Sequence, residues 1–179
     1  MTSNALDRFP FFSGVSREQM SEIESFAISQ QYERGQVVFQ NNEPAKNLYA
    51  LSGGEVDLAI LFREEVVTKD IKYEEYISTR VELFEKPIVI ERVKPFEIFG
   101  WSALVSPEKM TATARCASDC EIILVPAADL KQMFGRDPEL GYLLTRRISS
   151  IIAKRLNSRT EKLVDAWCMS FDTGQITTV

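Results

Sequence analysis

Cys116 and Cys120 stand on either side of Ala117-Ser118-Asp119. If those three residues form a hairpin turn, the two thiols face one another across paired strands. A cross-strand Cα separation of ~4.5–5.5 Å is within disulfide reach. The spacing fits a redox switch or two small packed thiols, and in a reducing compartment both are expected as free thiols. Cys168 is the third and last cysteine, and three are too few for an all-cysteine zinc site or iron–sulfur cluster. The chain has no histidine, so it lacks the commonest general base near neutral pH and the commonest metal ligand. That excludes His-based triads, His-ligated haem and His-ligated metal enzymes, and disfavours a cupin-like enzyme. No catalytic residue, metal or cofactor is expected. Trp101 can stack on a ligand, or it can be a core or dimer contact that closes a pocket. Arg146, Arg147, Lys154, Arg155, Arg159 and Lys162 make one late segment basic. With a net charge of -5 for the whole chain, they are expected as the solvated flank of a helix rather than a nucleic-acid face.

The elements that position these residues fall into three stretches. A first helix begins at Ser16, with Gln19 at the capping-box position and Val15 and Met20 spaced as a hydrophobic staple. Met20, Ile23 and Phe26 continue at helical spacing. Short β-rich runs follow: VVFQ, NLYAL, the alternating Val56, Leu58, Ile60 and Phe62, IVIERV, TATARC and CEIILV. Residues 63–87 read as a long hairpin bending near Asp70–Glu75, with a short helix at the bend or a solvated loop over 63–75 as alternatives. The fold class is therefore mainly β within α+β, a jelly-roll-like β-roll of about eight strands. Residues 127–134 make a short helix. Asp137-Pro138 then starts a long one, with Leu140, Leu144, Ile148, Ile151, Ile152, Leu156, Leu163 and Trp167 as its apolar stripe. A helix of ~28 residues would be ~42 Å long, more than a small barrel needs for its own cover. A homodimer through this helix, about residues 138–167, is expected. Residues 1–167 then form one domain and 168–179 a loose polar tail.

At 179 residues and 45% hydrophobic, one domain with a substantial core is expected. No apolar run reaches the ~18 residues of a membrane span, and the N-terminus has no signal-peptide pattern. A cytoplasmic protein without membrane contact is the expectation.

From Phe9 to Asp165 the order of motifs resembles the cyclic-nucleotide-binding domain of the catabolite-activator-like regulators. FFSGVSREQMSEI is similar to its leading helix, and RGQVVFQNNEPAKNLYALSGGEVDL to its first barrel strands. VKPFEIFGWSAL resembles the strand entering the phosphate-binding cassette, and DPELGYLLTRRISSIIAKRL the long C-terminal helix. The resemblance implies a non-enzymatic sensor in signal transduction. In that family, N–H groups at a short helix start hold the cyclic phosphate, a Glu bonds the ribose and a downstream Arg pairs with the phosphate. The candidate cassette here is Phe99, Gly100, Trp101, Ser102, Ala103 and Leu104, with Met110 and Thr111 downstream.

Gly100, Ala103, Leu104 and Thr111 match the family's pattern, but Trp101 replaces the Glu, Met110 the Arg, and Phe96 the loop glycine. Losing two charge-assisted hydrogen bonds costs about 3–6 kcal/mol, or about 10²–10⁴ in affinity. The chain thus resembles a bacterial subgroup with Gly-Trp-Ser-Ala-Leu in the cassette. Weak or absent cyclic AMP and cyclic GMP binding is expected. The candidate ligand, more apolar or aromatic than a cyclic nucleotide, is placed against Trp101, Met110 and Thr111, inside the strands from Val56 and Val89. The alternatives are a ligand-free interaction domain with a closed pocket, and a cyclic-nucleotide binder using unusual contacts. The downstream protein is unknown. The dozen residues after Trp167 are too few for a helix-turn-helix, so no DNA binding by this chain alone is expected.

Overall fold

The computed structural model describes residues 5–73 and 76–170, with the backbone alone over 64–84 and 169–170. The N-terminal 3₁₀ turns Ala5–Arg8 and Pro10–Phe12 bury Leu6, Phe9, Phe11 and Phe12. Helix α1, Arg17–Phe26, carries the expected capping box: the Ser16 N–H donates to Gln19 Oε1 at 2.8 Å and the Gln19 N–H to Ser16 Oγ at 3.2 Å.

Eight strands follow: β1 Ile28–Tyr32, β2 Val37–Phe39, β3 Asn47–Gly53, β4 Val56–Tyr73, β5 Tyr76–Val93, β6 Ile98–Phe99, β7 Thr113–Cys116 and β8 Cys120–Pro126. They form two four-stranded sheets, β1-β8-β3-β6 and β2-β7-β4-β5, and every pairing is antiparallel. One expectation needs correction. Cys116 and Cys120 do not flank a hairpin: β7 pairs with β2 and β4, β8 with β1 and β3, so the chain crosses between sheets there. The long hairpin expected over 63–87 is present, since the β4–β5 ladder runs from Val56↔Val93 to Tyr73↔Tyr76, and the alternative of a loop falls away over 63–73. The two residues between Tyr73 and Tyr76 lie outside the described residues.

Helix α2 spans Ala127–Arg136 and helix α3 Pro138–Ser170. Asp137 caps α3, its Oδ1 accepting from the Leu140 N–H at 3.0 Å, while Oδ2 accepts from Gln19 Nε2 at 2.6 Å. One carboxylate thus ties the start of α3 to the capped start of α1. The helix contains the expected 138–163 and continues into the segment expected as tail, because nothing from Gly141 to Ser170 breaks it.

Two buried clusters result. One lies between the sheets and draws on Tyr49, Leu51, Val56, Leu58, Ala114 and Ile122. The other packs α1, α2, α3 and the 3₁₀ turns on the opposite side of the β3–β8 sheet, with Leu48, Ala50, Ile123 and Val125.

Candidate functional site

The cassette opens at Gly100, whose φ of 69° is left-handed and caps the one-turn 3₁₀ helix Trp101–Leu104. A Cβ here would lie 2.5 Å from Tyr49 Cδ2, so both the backbone angle and the close approach require glycine. Within the turn, the Ala103 N–H bonds the Gly100 carbonyl at 3.1 Å and the Val105 N–H the Ser102 carbonyl at 3.3 Å. The family resemblance implied an anion held at this helix start, but four residues supply only a small dipole.

The side chains split between the two clusters. Phe99, Ala103 and Met110 are buried between the sheets, Trp101 packs against the helical cluster, and Leu104 touches both. Ser102 is buried and Thr111 exposed. The expected ligand surface of Trp101, Met110 and Thr111 is therefore not one surface. Val89 is 49% exposed, so it does not wall the interior either.

Aromatic rings occupy the space between the sheets. Phe99 stacks on Tyr49 with centroids 5.1 Å apart and 21° between planes, and Phe39 lies 5.2 Å from Tyr49 and 5.9 Å from Phe99. Burial raises the Tyr49 phenol above its ordinary value, against a lowering bond with Asn47. Met110, 2% exposed, is fixed by its backbone: its N–H donates to the Glu43 carbonyl at 2.9 Å and its carbonyl accepts from the Asn42 N–H at 2.8 Å. Besides the Tyr49 phenol and the Cys116 and Cys120 thiols, the buried polar residue among the described residues is Ser102. This cluster of apolar and aromatic side chains can exclude water and pack apolar surface.

Cys116 and Cys120 are free and buried. Burial, then the neighbouring Cys120 thiol, pushes the Cys116 thiol up to about 12. The Cys120 thiol donates to the Glu55 carbonyl at 3.2 Å.

Sequence reasoning missed two features. Phe96, standing where the family's pattern has glycine, keeps the left-handed backbone at φ 69°, a strain of about 1–3 kcal/mol. The Arg8 guanidinium sits 4.3 Å over its ring and Phe9 meets it edge-on at 5.8 Å. The replaced glycine was the available signal. The second is Arg155, read as a solvated flank but with its side chain only 11% exposed. Its Nε pairs with Glu91 Oε1 at 2.9 Å and its Nη2 donates to the Ile98 carbonyl at 3.1 Å, docking α3 on β5 and β6. Burial lowers its pKa from the usual arginine value, and Glu91 opposes that.

A family model for the cyclic nucleotide-binding domain matches residues 29–137. A candidate potassium channel protein of Rhodopseudomonas palustris is 22% identical over 150 residues, covering 84% of this chain and 31% of its own length. The chain thus spans less than a third of that relative. Among solved structures, a candidate cyclic nucleotide-binding protein of Geobacter metallireducens aligns with a TM-score of 0.64 and 25% identity, covering 87% of this chain and 99% of the other. A cyclic nucleotide-binding domain of Methylobacillus flagellatus has a TM-score of 0.64 at 17% identity, covering 90% and 80%, a likeness of fold alone.

Proposed function

The chain belongs to the cyclic nucleotide-binding domain family, and on that premise we propose a regulatory module whose cassette does not hold cyclic AMP or cyclic GMP tightly. The observation that carries this reading is Met110. It stands where the family's phosphate-pairing Arg falls and is 2% exposed in an apolar cluster with Phe99 and Ala103. Trp101, in the place of the ribose-binding Glu, belongs to the other cluster. The Phe39–Tyr49–Phe99 rings supply the bulk that a closed β-roll pocket needs.

The test is reversal. Met110→Arg alone buries an unpaired charge, at about 3–5 kcal/mol, and its melting temperature should fall. With Trp101→Glu added, the pair should bind cyclic AMP more tightly than wild type, and by more than the two single changes combined. A double variant with no gain, though folded, would count against the cassette assignment.

Output through α3 belongs to the same proposal. Leu140, Leu144 and Ile148 are buried, while Leu156, Leu163 and Trp167 are 63%, 50% and 58% exposed. The exposed half of the stripe suits a two-fold pairing of copies, which would carry a change in α3 to a downstream protein in the cytoplasm.

A further inference from the structure

A cavity of about 450 Å³ lies between α3, β5 and the 96–98 segment, a size typical of small-molecule sites. No residue of the cassette lines it. Three observations mark it as a binding site.

The first is charge. Arg147, Lys154, Arg155, Arg159 and Lys162 line it against Glu91 and Glu97, in a chain whose net charge is -5. Arg147 donates to the Phe11 carbonyl at 2.6 Å, Lys162 to the Ile90 carbonyl at 3.1 Å, and Arg155 pairs with Glu91. Lys154 and Arg159 enter none of the ion pairs found among the described residues.

The second is a pair of orphaned atoms. Arg159 Nε and Glu91 Oε2 are both buried without a hydrogen-bond partner. Buried polar atoms are normally satisfied, and these two, a donor and an acceptor, belong to residues that line the cavity. The third is Phe96, which takes a backbone conformation glycine adopts freely and contributes its ring to the lining.

We propose that this cavity binds a small organic anion with an apolar or aromatic body and one hydrogen-bond donor. The anionic oxygens meet the Arg159 guanidinium and Lys154, the donor meets the Glu91 carboxylate, and the body packs on Phe96, Ile98 and Ile151. The occupant touches α3 on one side and β5 on the other, so occupancy would hold the helix on the sheets. This goes beyond the cassette reading and does not rest on it.

The test is a fluorescence titration of the full chain with two dyes of one shape. 8-Anilinonaphthalene-1-sulfonate carries the anion and an N–H; N-phenyl-1-naphthylamine lacks the sulfonate. The sulfonate should saturate at one per chain and bind at least about tenfold tighter than the neutral dye. Arg159→Gln should weaken the sulfonate about tenfold and leave the neutral dye unchanged. Phe96→Gly, which relaxes the backbone, should weaken both. Circular dichroism checks folding, and if Phe96→Gly does not fold, Arg159→Gln with the paired dyes still decides. Non-saturating binding, or binding that Arg159→Gln leaves unchanged or weakens equally for both dyes, would overturn the proposal, assigning the dye to exposed apolar surface.

Discussion

At the scale of single residues, Gly100 and Phe96 share one backbone angle and differ in what that angle does. Position 100 needs glycine twice over, since its φ is left-handed and any Cβ would enter the Tyr49 ring. Gly100→Ala should cost about 1–3 kcal/mol, read as a lower midpoint in urea. Gly135→Ala is the matched control: its Cβ would meet nothing within 4 Å, and inside α2 it should be neutral or stabilising by up to about 1 kcal/mol. Equal losses in both would contradict this account of Gly100. The need for glycine at position 100 was legible in the motif. The sides taken by Trp101 and Met110 were not, because in one turn of 3₁₀ helix, and in the loop after it, a single residue's direction follows from local dihedrals rather than from a periodic pattern. Thr111 shows the same limit: it fits the family's pattern in sequence and stands exposed in the structure.

At the scale of elements, α3 was legible because its start and its stripe are both periodic, local signals. Hydrogen bonds from the Leu140 N–H first, then from Gln19, lower the Asp137 carboxyl below its ordinary value. A lowered folded pKa stabilises above the unfolded value, and the gain is lost as pH falls through the folded one. Melting temperature should therefore drop as pH goes below about 4, and Asp137→Asn should flatten that acid limb while keeping a capping side chain. An unchanged acid limb in the variant would remove Asp137 from the account. Strand β1 was not legible, since four of its five residues are exposed and show no alternation. The β7–β8 crossing read as a hairpin because three linking residues say nothing about which sheet each strand joins. The distal half of α3 sets a further expectation. Sedimentation equilibrium at micromolar concentration should give twice the chain mass, and Leu156→Asp with Leu163→Asp should give a folded monomer. Ile148 is unsuitable for that test because it is 2% exposed in the core. A monomeric wild type would contradict the pairing.

At the scale of the whole molecule, two four-stranded sheets enclose one cluster, and the helices cover a second on the far side of the β3–β8 sheet. The sequence announced this arrangement through the order of its motifs. Trp101 and Met110 are the residues on which the proposal of a changed pocket chemistry rests. The ring cluster needed coordinates, since Phe39, Tyr49 and Phe99 are distant in sequence and meet only when β2, β3 and β6 assemble. The arrangement predicts a family member whose between-sheet space is filled by its own side chains. Isothermal titration of the wild-type chain with cyclic AMP at 25 °C tests this most directly. The account predicts no affinity tighter than about 100 µM, a free energy of about −5.5 kcal/mol. A submicromolar dissociation constant at one site per chain would contradict it.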